Sequence, residues 1–223
     1  PLSSEGSINY TQQTETLNVG SLELTYGLAV PDLADEGNGF PLILALHYSG
    51  NVTPSYGREF MNRLILPALS ELGAIIVSPS CPSSTGWANS TSRSAILALI
   101  DEIKSQYNIN ESQVIVTGYS MGGIGTWYYA TYCNDIFSAA VPIASLPESY
   151  VINNIDNIPV YAIHGMMDEI FDYRQVEAAV AQMEARGVDV RLHGIAGLGH
   201  YAVDTYIEPL KRSVEWIRSN IDL

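Results

Sequence analysis

Apolar and polar positions alternate over residues 8–17 (INYTQQTETL) and again over 21–30 (SLELTYGLAV), with Gly20 between them. That alternation predicts two strands of a hairpin, each turning one face to a core. Residues 31–40, rich in Pro, Asp, Gly and Asn, read as a turn. The pattern changes at 42–46 (LILAL), a continuous apolar run of the kind buried on both faces of a parallel sheet. Comparable runs stand at 74–77, 114–117, 139–143 and 160–163, with a mixed run at 188–195. Between them, apolar residues recur at helical spacing over 58–72, 94–107, 121–132, 173–186 and 205–220. Pro67 is expected to kink the first of these helices, and Gly187 to stop the fourth. Alternating strands and helices predict an α/β fold: about eight strands, a mostly parallel sheet, helices on both faces and an antiparallel hairpin at one edge. No repeat or break in composition divides residues 1–223, which read as a single domain with 1–7 as a tail or linker. The connection at 145–158 is too short for a separate cap domain.

Composition narrows the partners. Hydrophobic residues make up 47% and charged residues 15%, enough apolar material for a full core. Net charge is −14, from 24 acids against 10 bases, which argues against nucleic acid and anionic membrane as partners. No run of about 18 apolar residues is available for a membrane-spanning helix. The chain opens on Pro1 without a signal-peptide pattern and reads as a mature or trimmed domain, which leaves room for a further N-terminal domain in the full-length protein. Lysine occurs only as Lys104 and Lys211 in a chain rich in Ser, Asn, Thr and Tyr, a bias that points to an extracellular or periplasmic location. Cys81 and Cys133 allow one disulfide or none; they fall in different parts of the layout, which favours free thiols, and neither has metal-ligand spacing. Sequons at Asn51, Asn89 and Asn110 matter only in a host that glycosylates.

The strongest chemical signal is VIVTGYSMGGIGTW at 114–127, which contains Gly118-Tyr119-Ser120-Met121-Gly122, a G-x-S-x-G pattern. An apolar strand precedes it and a helix pattern follows, so Ser120 sits on a tight strand-to-helix turn. Glycines beside it let neighbouring chain approach, and the Met121 N–H points at an oxyanion formed on attack by the hydroxyl. A base is needed. Of four histidines, His47 and His164 end strands and His193 lies inside one; His200, in the loop GLGHY after the last strand, is the candidate. The acid that orients it is Asp168, in HGMMDE after the 160–163 strand, with Glu169, Asp172 and Glu148 as competitors. The chain order Ser120, Asp168, His200 is the one expected on this architecture. A second oxyanion donor comes from the loop His47-Tyr48-Ser49-Gly50, at the N–H of Tyr48 or Ser49, with Tyr48 preferred.

With those residues placed, the chain resembles the α/β-hydrolase superfamily. More narrowly it is similar to secreted-type esterases related to feruloyl esterases, acetyl xylan esterases and polyhydroxybutyrate depolymerases. The resemblance covers roughly 40–220 through LALHYSG, VTGYSMGGIGTW, AIHGMMDE and GLGHY. It implies an α/β-hydrolase fold with Ser120 as nucleophile, Asp168 as acid, His200 as base and an oxyanion hole near Tyr48 and Met121. One departure stands out: many relatives have Gly directly after the strand-end His, where this chain has Tyr48. The expected reaction is hydrolysis of a carboxylic ester through an acyl-enzyme, with no metal or cofactor. An uncapped, open cleft suits short-chain esters and bulky aryl or polysaccharide esters, whether free or polymer-borne. Tyr48, Trp87 and Tyr201 are the expected substrate contacts on the rim; Tyr56, Leu146, Met166, Met167 and Ile170 are further rim candidates, and Trp127 is assigned to the core. The rival readings are a serine peptidase with the same three residues and a non-catalytic binding module.

Overall fold

The computed structural model describes residues 8–221 and 223; the tail expected at 1–7 lies outside the described residues. Among the described residues the strands are β1 (Tyr10–Val19), β2 (Leu22–Pro31), β3 (Phe40–Leu46), β4 (Ile75–Pro79), β5 (Ile109–Tyr119), β6 (Ala139–Ile143), β7 (Val160–Gly165) and β8 (Val190–Ile195). They form one sheet in the order β1-β2-β4-β3-β5-β6-β7-β8. β1 pairs antiparallel with β2, and β2 antiparallel with β4. All later pairings are parallel, as the continuous apolar runs require. Strand β5 starts earlier than the apolar run alone predicts, because Ile109 extends the pairing to Phe40 across a register shift.

The helices are α1 (56–72), α2 (Ser90–Gln106), α3 (Met121–Tyr132), α4 (Ser149–Asn154), α5 (Tyr173–Ala185), α6 (Ile207–Lys211) and α7 (Ser213–Asn220). Period-two side-chain alternation splits the sheet into two cores. Leu42, Leu44, Leu46, Val114 and Val116 face α2, α3 and α5. Ile43, Ala45 and Ile115 face α1, α6 and α7.

Four departures from the sequence pattern have physical causes. α1 is not simply kinked at Pro67: it widens into a π-helical turn over Met61–Ile65, absorbing the missing N–H, runs on as α-helix to Leu69 and closes in a 3-10 turn over Ser70–Leu72. α2 starts at Ser90, ahead of the expected 94, because the Asn89 side chain accepts the Ser92 N–H at 2.9 Å and caps the helix. The expected 205–220 helix begins as a tight 3-10 turn at Val203–Tyr206 and is then divided into α6 and α7 around Arg212. The connection after β6 carries the short α4, whose Val151 is buried in the first core.

Candidate active site

The turn between β5 and α3 is built by close approach. Ser120 has φ 55° and ψ −115°, outside the regions open to most L-residues. Such a conformation costs on the order of 1–3 kcal/mol and persists only where the surroundings impose it. Here they do: the Ser120 N–H donates to the Ile143 carbonyl at 3.0 Å, and the Ser120 carbonyl accepts the Ile124 N–H at 3.0 Å. The flanking glycines are required by space rather than by their own dihedrals. A Cβ on Gly122 would lie 1.8 Å from the Leu46 carbonyl oxygen, and one on Gly118 2.4 Å from that of Gly122. The strained turn lifts the Ser120 hydroxyl to the carboxyl edge of the sheet while its residue stays largely buried.

His200 arrives from the loop after β8. Its Nε2 lies 2.9 Å from the Ser120 Oγ, and its Nδ1 lies 2.7 Å from Asp168 Oδ2. The other oxygen of Asp168 accepts the N–H groups of Ile170 at 2.9 Å and Phe171 at 2.7 Å. Burial by itself would raise the Asp168 pKa, but the bonds from His200, Phe171 and Ile170 outweigh it and hold the carboxyl below its ordinary range. An ionised Asp168 fixes the Nδ1–H tautomer of His200 and leaves the Nε2 lone pair facing the serine hydroxyl. The competitors separate clearly: Asp172 accepts the Arg174 N–H at the start of α5, and Glu148 precedes α4. Glu169 is not idle: its carboxylate accepts the His200 backbone N–H at 2.6 Å. Tyr119 donates its hydroxyl to the His200 carbonyl oxygen.

His164 comes closer to this group than its sequence position suggested. It lies within β7, donates from Nε2 to the Phe171 carbonyl at 2.8 Å, and stands 3.6 Å from Asp168 Oδ2. Burial holds its pKa below the usual imidazole value, so it braces the acid loop as a neutral ring.

The loop after β3 is pinned from beneath by His47, which is fully buried. Its Nδ1–H donates to the Tyr48 carbonyl at 2.6 Å and its Nε2 accepts the Cys81 N–H at 2.9 Å. Burial lowers the His47 pKa to about 4, so the ring is neutral. Trp87 completes this support: its indole N–H donates to the His47 carbonyl at 2.9 Å, and its ring meets the imidazole edge-on at 5.0 Å. Trp87 was expected on the rim as a substrate contact. Instead it is 1% exposed and belongs to the core, because its N–H finds its partner inward, under the loop.

Tyr48 and Ser49 from this loop, Ser120, and His200, Tyr201 and Val203 from the opposite loop line a cleft of about 270 Å³. Tyr48 packs edge-on against Tyr56, Phe60 and Tyr119, and its hydroxyl accepts an Arg63 N–H at 3.0 Å. Arg63 also reaches both oxygens of Asp204 at 2.6 and 3.2 Å, and so ties the two loops together. Tyr201 is 72% exposed and meets the His200 ring edge-on. Met166, Met167 and Ile170 are exposed on the acid loop, whereas Tyr56 and Leu146 are half-buried. Met121 opens α3, half-buried, directly behind Ser120. Cys81 and Cys133 are free thiols, and Trp127 is buried in the core. Among the described residues no cluster of His, Cys, Asp and Glu has the arrangement to hold a metal ion.

Residues 83–208, more than half of the chain, match the model of the dienelactone hydrolase family. The chain belongs to the dienelactone hydrolase family. Ser120, Asp168 and His200 all fall within the matched span. Among curated proteins, this dienelactone hydrolase family chain is 30% identical over 80 residues to a bifunctional acetylxylan esterase/xylanase of Neocallimastix patriciarum, covering 35% of this chain and 12% of that protein. It is 26% identical over 160 residues to the "Probable feruloyl esterase C" of Aspergillus niger, covering 66% and 56%. With the Aspergillus flavus protein of the same name it shares 27% over 206 residues, covering 86% and 73%. The chain thus spans 12% and 56% of the length of the first two relatives. Among solved structures, a thermostable esterase matches with a TM-score of 0.79 at 21% identity, over 93% of this chain and 62% of that one. An S-formylglutathione hydrolase from Staphylococcus aureus matches at 0.76 and 14% identity, over 95% and 98%. These likenesses establish the fold, an open α/β-hydrolase sheet with a mostly parallel strand order.

Proposed function

We propose that the protein is a serine carboxylesterase in which Ser120 is the nucleophile, His200 the general base and Asp168 the acid that orients it. The observation that carries this reading is the unbroken hydrogen-bonded line from Ser120 Oγ through the His200 ring to Asp168, at 2.9 and 2.7 Å, opening onto a cleft. The dienelactone hydrolase family match and the esterases among its relatives support it.

In the first step Ser120 Oγ forms a bond to the ester carbonyl carbon. Its proton passes to His200 Nε2, and the carbonyl π pair moves onto oxygen. Backbone N–H groups of Met121 and of Tyr48 or Ser49 receive that oxyanion; one such donor is worth about 3–4 kcal/mol of barrier. The tetrahedral adduct collapses, the carbon–alkoxy bond breaks, and His200 returns its proton to the leaving alcohol. Water then repeats the sequence on the acyl-enzyme, releasing the acid and restoring Ser120. Asp168 stays ionised throughout and stabilises the imidazolium.

The cleft is small, about 270 Å³, and bordered by tyrosines, which favours a short or flat aryl acyl group. Its open mouth accommodates an alcohol attached to a polymer such as an acylated polysaccharide. The lysine-poor surface, together with a 24% identical relative from Arthroderma benhamiae described as a secreted protein, supports an extracytoplasmic setting. The test is a panel of nitrophenyl esters of rising acyl length beside methyl ferulate, acetylated xylan and matched anilides. Turnover of short or aryl esters well above the anilides supports the esterase; preference for anilides supports a peptidase instead, and no turnover of any member opposes both.

A further inference from the structure

The loop that carries His200 is gripped at more points than proton transfer itself requires. Asp168 takes the ring at Nδ1. The next residue, Glu169, takes the backbone: its Oε2 accepts the His200 N–H at 2.6 Å. Tyr119, the residue before the nucleophile, donates its hydroxyl to the His200 carbonyl oxygen. His200 Nε2 is then the one polar atom of the residue left facing Ser120.

The grip is also tight in space. A Cβ placed on Gly199 would lie 2.8 and 2.9 Å from the two Glu169 oxygens, so the carboxylate sits directly on the Gly199–His200 peptide. The sequence around it, GLGH, has glycine on both sides of Leu198. A loop so rich in glycine gains its order from outside partners rather than from its own dihedral preferences. Leu198 anchors one side by burial in the second core, and Glu169 anchors the other by a charge-assisted hydrogen bond.

We propose that Glu169 is a second positioning carboxylate of the site, one that holds His200 by its main chain while Asp168 holds it by its ring. This rests on the reading of Ser120, His200 and Asp168 given above. Glu169 touches neither substrate nor the transferring proton; it acts through His200 in two ways. The hydrogen bond sets where the ring stands relative to Ser120. The negative charge favours the imidazolium that forms when the serine proton arrives. The groups facing the imidazole are Asp168, Phe171 and Glu169 from the acid loop, Tyr119 from β5, Ser120, and Tyr201, with neutral His164 behind Asp168. Glu169 and Asp168 are the formal charges bonded to His200; Arg63, paired with Asp204, is the cation that lines the same cleft.

Two variants separate the two effects. Glu169→Gln keeps an oxygen to accept the N–H and loses the charge; Glu169→Ala loses both. Each is measured in the full chain beside the parent, with a nitrophenyl acetate pH–rate profile and with NMR exchange of the His200 amide. The expected result for Glu169→Ala is kcat about 10–100-fold lower with KM within about twofold, a size set by losing alignment of a general base, and loss of His200 amide protection. Glu169→Gln recovers most of the lost kcat and the protection. In both variants kcat carries the change while KM stays within about twofold of the parent, a split that general destabilisation of the fold would not produce. Equal kcat in Glu169→Ala and parent, equal losses in the Ala and Gln variants, or a loss that falls on KM rather than kcat would overturn the proposal. If the parent itself hydrolyses nothing, the esterase reading fails, and amide protection alone then decides the grip: unchanged exchange in Glu169→Ala overturns it.

Discussion

Acid lability is built into the support of the loop after β3. His47 is fully buried between the Tyr48 carbonyl and the Cys81 N–H, and burial brings its pKa down to about 4. In the unfolded chain the same imidazole titrates near 6.5. Between those values the unfolded state binds a proton that the native state refuses, so stability rises with pH across the window and falls as pH drops through it. A shift of about 2.5 units corresponds to about 2 kcal/mol lost by pH 5 and about 3 kcal/mol by pH 4, relative to pH 7. Burial lowers the His164 and His193 pKa values as well, so their contributions add in the same direction. Asp168 acts elsewhere: its lowered pKa makes a contribution that is present above the unfolded carboxyl value and lost only as pH falls below about 4. The assay is urea unfolding at pH 7 and pH 5. With m of about 2 kcal/mol/M, His47 alone accounts for about 1 M of the fall in midpoint. His47→Gln offers one donor and one acceptor but no titrating ring, and is expected to lose about that much of the pH 7-to-5 difference whatever its absolute stability. An unchanged difference in the variant would refute the reasoning.

Two further outcomes follow from the geometry. Gly122→Ala puts a methyl 1.8 Å from the Leu46 oxygen, so β3 and α3 must part; a loss of about 3 kcal/mol or more in urea unfolding is expected, against about 1 kcal/mol for Gly20→Ala, where φ is +63° but the space is open. Equal losses would mean that the close approach is not what demands glycine at 122. Asp168→Asn keeps the shape but lets His200 present its Nε2–H to the serine; kcat for nitrophenyl acetate is expected to fall by about 10⁴ with the circular dichroism spectrum retained, and a fall under tenfold would argue against Asp168 as the orienting group.

How much of this was legible beforehand depends on the range of the forces involved. The strands of the parallel sheet announced themselves as apolar runs because both of their faces are buried, and Met121–Tyr132 was readable to the residue from the turn that starts it. Ser120, Asp168 and His200 could be nominated because each lies just past a strand at one edge of the sheet, and the structure brings those three side chains together. Trp87 was misplaced for the converse reason. Glycine and small residues flank it, Gly86 and Ala88-Asn89-Ser90, and nothing local shows that the indole N–H will meet the His47 carbonyl forty residues earlier. From the sequence Glu169 reads only as a rival to Asp168, since a local pattern does not reveal that neighbouring acids can serve the ring and the backbone of one histidine. Asn89 was the signal that would have placed the start of α2 correctly, as a polar cap ahead of the apolar face.

The central claim is that the Ser120 hydroxyl, and no other, is made nucleophilic by His200. Treatment of the folded protein with a fluorophosphonate, followed by intact mass and peptide mapping, reads this directly. The account predicts a single adduct on Ser120 in the parent, none in Ser120→Ala, and nitrophenyl acetate turnover in that variant at least 10⁴-fold below the parent. Labelling at another residue, or a Ser120→Ala protein that still turns over ester at the parent rate, would contradict it.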